Sequence, residues 1–217
     1  MRYLLTAIVM MSPAVCFAQG SGCEKMLDTV ADVPMPGAAV RFDYQSMDTE
    51  HGRLYIAHMN DDHLVVFDTA SRKVIANLDM FKRVHGVIAV PEISRVFASA
   101  TGNHEMVAVD MQRLKIVGRA GPIEYPDGLA YAPGAQRVFV SDEHGAVDAV
   151  VDGQTNKLIK KVPLSGYAGN TVYDPDSKHI LVAVHGVNEI VEIDPVEMTI
   201  IARHLAVWRI RMAWCSM

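Results

Sequence analysis

The sequence predicts an all-β protein, specifically a β-propeller built from four-stranded blades. Its apolar residues fall in short runs of four to seven, separated by turns that contain Gly and Pro, and this pattern is typical of many short strands. The chain also repeats itself with a fixed period of 42 residues. A period of this length built from strands indicates one propeller blade per repeat.

Composition excludes several classes of protein. The 217 residues are 50% hydrophobic and 21% charged, which is typical of a folded globular protein and not of a disordered or collagen-like chain. The formal net charge is −5, and no basic run exceeds two neighbours, such as Lys82 and Arg83. Nucleic-acid binding is therefore not expected, because it needs a concentrated positive surface.

The repeat is anchored at two places in each unit. Segments that begin at residues 53, 95, 137 and 179 read RLYIAHM, RVFASAT, RVFVSDE and HILVAVH. An aspartate closes the next apolar run of every unit, at Asp68, Asp110, Asp152 and Asp194. Turn residues follow each aspartate, so we expect these carboxylates to accept backbone N–H bonds in tight turns and to be structural.

Each unit divides into four strands at its turn residues. The first strand is predicted over 86–90, 128–132 and 170–174, and Pro follows most of these runs. The second strand is the R-V-F-V segment, and the third is the run that ends in Asp. The fourth strand is predicted over 73–78, 115–120, 158–163 and 199–204.

The first 18 residues read as a secretory signal. Arg2 precedes an apolar stretch, and small residues stand three and one positions before a cut after Ala18. The apolar run is shorter than the ~20 residues that cross a bilayer, so we expect a periplasmic or secreted protein without a membrane span. Export permits a disulfide between Cys23 and Cys215, but spacing alone cannot place the two within bonding reach, and two unpaired thiols are the favoured interpretation.

Two repeat segments carry a family resemblance. The segments LYIAH…VVFDTASRKV and VFVSD…AVVDGQTNKL resemble the YVTN-repeat β-propeller family, over roughly residues 40–205. The resemblance implies an exported bacterial propeller, of which many are binding modules. Some propellers with a similar blade pattern are lactonases or parts of dehydrogenases, but none of their catalytic motifs matches this sequence position by position.

The predicted propeller, over residues 26–205, looks incomplete. It has four units, whereas the resemblance implies six to eight blades. The segment 28–34 resembles a fourth strand and is predicted to be an N-terminal closure strand. Residues 206–217 do not fit the repeat and are either the product of a truncation or frame change, or a capping strand or short helix. Open blade edges would favour self-association.

The candidate ligand site lies where first strands begin and second strands end, on one face of the propeller. His85 and Asp127 are one repeat apart at the entrance of the central channel. Imidazole and carboxylate groups there could hold a divalent metal, with His85 and Asp127 as ligands, or a small molecule or protein. The candidate ligand-binding residues are His58, His85, Asp127, Asp142, His144, Asn170 and His185.

Three functions are compatible with this sequence. We expect a binding or scaffold module that takes its ligand at the His- and Asp-rich channel mouth. The alternative is a metal-dependent lactonase-type hydrolase, in which a divalent ion polarises a carbonyl and activates water. A third possibility is a non-functional fragment of a longer propeller.

Overall fold

The computed structural model describes residues 28–205, and the strands within that range form four antiparallel sheets of four strands each. The predicted fold class is therefore confirmed. The predicted signal peptide, Cys23, Cys215 and residues 206–217 lie outside the described residues. Residues 28–32 belong to a separate compact unit and contain no strand, so all four blades belong to the unit that begins at Val33.

The blades follow one another along the chain. The first blade contains β1 (Gln45–Asp48), β2 (Arg53–His58), β3 (His63–Asp68) and β4 (Lys73–Leu78). The second contains β5 (Val84–Val90), β6 (Arg95–Ala100), β7 (Glu105–Asp110) and β8 (Lys115–Ala120). The third contains β9 (Pro126–Ala132), β10 (Arg137–Asp142), β11 (Val147–Asp152) and β12 (Leu158–Pro163). The fourth contains β13 (Tyr167–Tyr173), β14 (Ile180–His185), β15 (Glu189–Asp194) and β16 (Thr199–Leu205).

The segment before β1 differs from the expected closure strand. Residues 28–34 form no strand, and no strand of the described chain precedes Gln45. Pro34 and Pro36 lack the N–H groups that a ladder needs, and Gly37 has a φ of 89°, which bends the chain. The segment 33–44 instead runs along the first blade, where Phe42 stacks on His58 with ring centroids 4.0 Å apart.

The loops repeat with the same period as the strands. After each third strand the aspartate accepts backbone N–H bonds, as Asp152 does from Thr155 at 2.7 Å and from Gln154 at 3.1 Å. These bonds lower the pKa of the Asp152 carboxyl, that from Thr155 most strongly. A residue with positive φ then leads into the fourth strand, at Arg72, Leu114, Asn156 and Met198. The repeat therefore preserves turn geometry as well as strand pattern.

Adjacent blades pack face to face. We call the sheet face that points to the next blade the outgoing face, and the face that receives the preceding blade the incoming face. Three apolar clusters lie between successive blades, centred on the outgoing residues Tyr55, Phe97 and Phe139. Among residues 28–205 no such cluster joins the fourth blade to the first. First strands of adjacent blades contact one another, so they line the channel and the fourth strands lie outermost.

Candidate functional site

The first strands are bulged where they enter the site. In β5, His85 and Gly86 together face Ser99 of β6, because the ladder register shifts between Val84 and Val87. The same shift recurs in β9 at Asp127 and Gly128, and in β13 at Gly169 and Asn170. A bulge re-aims side chains, and here it presents one residue of each strand at the channel entrance, which we call the mouth.

Close approach between first strands explains the glycine of the second blade. A side chain at Gly86 would collide with the backbone carbonyl of Asp127 in the next blade. The Ser99 hydroxyl accepts a bond from the Gly86 N–H at 3.0 Å and donates to the Asp127 carbonyl. This serine therefore ties the His85 bulge to the Asp127 bulge, and the two candidate residues are held at fixed depth.

His85 is almost completely buried and its tautomer follows from its neighbours. It is 5% exposed, and its Nδ1 lies 2.8 Å from the Arg83 carbonyl and 2.7 Å from the Thr101 hydroxyl. A carbonyl can only accept, so Nδ1 carries the hydrogen. Nε2 is left as an acceptor, 3.3 Å from the Tyr125 hydroxyl. A ligand O–H or N–H that replaces the Tyr125 hydroxyl at Nε2 would therefore find a lone pair.

Asp127 lies next to His85 in a negative environment. Burial raises the pKa of its carboxyl most, and the carboxylates of Asp43 and Glu143 raise it further. His85 and Arg41 act in the opposite direction, but the net shift is upward. Burial is the main cause of this shift, and the smaller contributions of Asp43 and Glu143 identify the carboxylates that an anionic ligand would meet beside Asp127.

The first and fourth blades meet across the mouth through Tyr44 and Asn170. The Tyr44 hydroxyl donates a hydrogen bond to Oδ1 of Asn170. Burial, together with the charges of Asp127 and Asp43, raises the pKa of Tyr44 to about 12, so the hydroxyl keeps its proton. Groups from all four blades therefore converge at this end of the channel.

A row of rings follows the rim of the mouth from the second blade to the fourth. Ring centroids are 5.4 Å apart between His85 and Tyr125, 4.2 Å between Tyr125 and His144, and 6.4 Å between His144 and Tyr167. The Arg83 guanidinium lies 5.9 Å from the centre of the Tyr125 ring. Such a row offers flat apolar surface beside polar groups, an arrangement that is common in ligand sites.

An open cavity of about 450 Å³ adjoins this row. It is lined by Glu124, Glu143, His144 and Tyr167. Neither glutamate side chain forms an ion pair with another described residue. The cavity therefore has aromatic walls and two carboxylates available to a ligand.

Two predicted site residues lie apart from the mouth and serve the fold. The buried carboxylate of Asp142 accepts N–H bonds from Glu124 at 2.9 Å, Tyr125 at 2.8 Å and Gly145 at 3.0 Å. These donors occupy it, so it shapes the loop that carries Tyr125. His58 is fully buried beneath Phe42, and its Nδ1 lies 3.6 Å from the Asp61 carboxylate. Its burial prevents contact with a ligand.

His185 reaches the mouth from an unexpected position. Gly169 is the fourth-blade equivalent of His85 and Asp127, and the His185 ring fills the space where a side chain at Gly169 would lie. His185 is exposed and pairs with Tyr167 in the ladder. The imidazole of the fourth blade is therefore supplied by β14 and not by the first strand.

Several mouth residues were missed by the sequence analysis although the repeat could have located them. Asp43 lies 42 residues before His85, and Tyr44 holds the position of Gly86. The rim series Arg41, Arg83, Tyr125 and Tyr167 has the same spacing. Extending the period towards the N-terminus would have found Arg41, Asp43 and Tyr44. Thr101 carries no such signal, because its role depends on contact with His85.

The metal hypothesis for His85 and Asp127 receives no geometric support. Within residues 28–205, no group of three or more His, Cys, Asp or Glu side chains is arranged so that it could hold a metal ion. The polar neighbours of the His85 ring are the Arg83 carbonyl, which accepts from Nδ1, and the hydroxyls of Thr101 and Tyr125. In the same range, no helix has the length and apolar character to cross a membrane.

No protein-family model matches this chain, and no curated protein matches it. Solved structures do resemble it. Hydrazine synthase from Kuenenia stuttgartiensis is 16% identical with a TM-score of 0.67, covering 79% of this chain and 52% of that one. A streptogramin B lyase is 11% identical with a TM-score of 0.61, covering 70% and 51%. The dihydro-heme d1 dehydrogenase NirN, in complex with DHE, is 15% identical with a TM-score of 0.57, covering 72% and 35%.

These likenesses support the propeller fold alone, because identities this low carry no information about activity. The chain spans about half or less of the length of each of these structures. The neighbours include enzymes of unrelated chemistry on one architecture. Function must therefore be argued from the mouth.

Proposed function

We propose that this chain is an exported propeller of the YVTN-repeat type that binds a small molecule at the mouth of its channel. The observation that supports this proposal is the convergence of one residue from each blade at the mouth, namely Tyr44, His85, Asp127 and Asn170. A ligand held by several blades gains contacts from rigid strands and needs little rearrangement. Export is supported by the signal-like pattern of residues 1–18.

The ligand should present hydrogen-bond donors. His85 Nε2, the Asp127 carboxylate and the Glu143 carboxylate are acceptors at or beside the mouth. Of the nearby cations, Arg41 is bonded to Asp43 at 3.1 Å and Arg83 lies over Tyr125. An amine or hydroxyl compound with a flat ring fits these groups better than a carboxylate does.

The test uses two small aromatic probes of opposite charge, benzylamine and benzoate, observed by ligand-detected NMR. We expect benzylamine to bind the unmodified protein more tightly than benzoate. The His85→Ala/Asp127→Ala double variant should weaken benzylamine binding at least tenfold. The matched control is His51→Ala/Asp176→Ala, which removes a histidine and an aspartate from loops outside the mouth. Equal binding to all three proteins, or no binding of either probe, would contradict the proposal.

The hydrolase alternative requires a divalent ion, and within residues 28–205 no group of three or more His, Cys, Asp or Glu side chains is arranged to hold one. We therefore do not propose the lactonase-type activity. Calorimetric titration with Ca²⁺ and Zn²⁺, followed by an assay of γ-butyrolactone hydrolysis, tests this choice. Heat of metal binding that disappears in the double variant, together with hydrolysis, would reinstate the hydrolase.

A further inference from the structure

Within residues 28–205, no blade covers the outgoing face of the fourth blade. The outgoing positions Tyr55, Phe97 and Phe139 are each fully buried under the next blade, whereas Leu181, 42 residues on, is only half-buried. On the same face, Val172 pairs with Leu181 across the ladder and is 52% exposed. An apolar blade face of this kind is stable when another sheet covers it.

The first blade offers a matching incoming face. The incoming positions Val96, Val138 and Ile180 are fully buried, but Leu54, one repeat earlier, is half-buried. Ile56 and Phe67 are also half-buried and hold the positions of Val182 and Ile193, which pack against Phe139 in the third cluster. The segment 33–44 covers His58 through Phe42 and lies beside β4 at Pro34 and Pro36, and Val65 on this face is fully buried. Leu54 and Phe67 remain half-buried and are the part of the face that a second sheet would cover.

One charged residue distinguishes the two free faces. Glu192 takes the place that Val66, Ala108 and Val150 hold on the other outgoing faces. Its carboxylate is bonded to His204 Nε2 at 2.9 Å and to His179 Nδ1 at 2.6 Å, which lowers its pKa. Contact between two outgoing faces would bring two Glu192 carboxylates together, whereas the incoming face of the first blade presents apolar residues.

We propose that the outgoing face of the fourth blade binds the incoming face of the first blade in a second copy of this chain. Each copy has one face of each kind, so a two-fold axis along the channel makes both contacts at once. The resulting assembly has four blades from each copy, and eight blades lie within the range of closed propellers. The packing repeats the contact that already joins successive blades within one chain.

Sedimentation velocity from micromolar to millimolar protein tests this proposal. We expect a dimer for the unmodified chain and a monomer for Val172→Lys. The control is Val117→Lys, which puts the same charge on a 41% exposed valine of β8 in the second blade and should stay dimeric. A monomer at every concentration, or a dimer that survives Val172→Lys, would overturn the proposal.

Cross-linking then identifies which faces meet. In a chain with Cys16, Cys23 and Cys215 replaced by Ser, one protein carries Leu54→Cys and a second carries Leu181→Cys. We expect oxidation to join the two proteins only when they are mixed. Cross-linking of the Leu181→Cys protein with itself would show contact between two outgoing faces, and no cross-link in any mixture would likewise overturn the assignment.

Discussion

The contact between the second and third blades differs from the contact between the third and fourth at one buried position of the repeat. Met106 packs in the former cluster, and Asp148, 42 residues later, is fully buried on the outgoing face of the third blade. The Asp148 carboxylate has no hydrogen bond of good geometry to another described residue, and neither has the hydroxyl of Thr171, on the facing blade. At this position the former interface therefore buries an apolar side chain, whereas the latter buries a carboxyl beside a hydroxyl that also lacks a good hydrogen bond.

The difference shows that a blade interface tolerates a buried carboxyl group. Burial raises the pKa of Asp148 to about 7, and the neighbouring Thr171 hydroxyl and Val140 N–H offset only part of this shift. The carboxyl is therefore neutral over much of the range in which an ordinary aspartate is charged. Apolar contacts among Phe139, Val150 and Ile193 hold this interface together around it. The fold tolerates an aspartate where the second blade has Met106, because the other residues of the cluster remain packed against one another.

The largest expected effect comes from placing the carboxyl in the apolar interface. Met106→Asp removes a fully buried side chain and buries a carboxyl without a partner, so we expect the free energy of unfolding to fall by about 4 kcal/mol. Urea unfolding followed by circular dichroism measures this loss. The control Met106→Leu conserves volume and should cost less than about 1.5 kcal/mol. Equal losses in the two variants would show that charge burial is unimportant there.

The Asp148→Asn variant should remove a pH dependence from the other interface. The pKa of Asp148 is about 7 in the folded protein, above its ordinary value of 3.8. The contribution of the Asp148 carboxyl to the free energy of unfolding is therefore fully present below pH 3.8 and is lost as pH rises through about 7. The free energy of unfolding changes by about 4 kcal/mol over this range. We expect the unmodified protein to lose stability relative to Asp148→Asn between pH 4 and pH 8 in urea unfolding.

The exposed Asp176 provides the control for that comparison. Asp176→Asn removes a carboxyl from a surface loop outside the interface, so the unmodified protein and this variant should show parallel stability curves. If the Asp148→Asn curve also runs parallel to that of the unmodified protein, the buried carboxyl does not titrate as described.

A smaller effect of opposite sign is expected at the turns. Bonds from Thr155 and Gln154 lower the pKa of Asp152. The contribution of this carboxylate to the free energy of unfolding is therefore present above the ordinary carboxyl pKa and is lost as pH falls through the lowered pKa. Asp152→Ala should cost about 1 kcal/mol at pH 7 and less at pH 3 in urea unfolding. Asp152→Asn keeps an acceptor oxygen and should cost less. A loss that grows as pH falls would contradict the turn role.

The strands were predictable because their signal is local. The fourth strands at 73–78, 115–120 and 158–163 have the predicted bounds. Alternation of side chains and the turn residues after each run depend only on neighbours in sequence. The prediction of a strand over 28–34 was wrong, because similarity to another strand outweighed the two prolines, Pro34 and Pro36, that oppose a ladder.

The candidate site was only partly predictable. The period placed His85 and Asp127 together, and the structure adds Tyr44 and its bond to Asn170. Asp142 could not be told from a ligand-binding residue, because two of its three N–H donors, on Glu124 and Tyr125, belong to a loop that only the fold brings near. The bulges that aim the first-strand side chains are likewise set by contact between adjacent strands.

By itself, the sequence determined the number of repeats, their strands and the turns that join them, because each depends on residues within a few positions of one another. Only the tertiary structure decided which polar residues face the mouth and which are buried. Asp148 lies in an apolar segment whose sequence is typical of a third strand, and it is buried because the fourth blade packs against it. Burial and pKa depend on neighbours from distant parts of the chain, which a period along the sequence does not record.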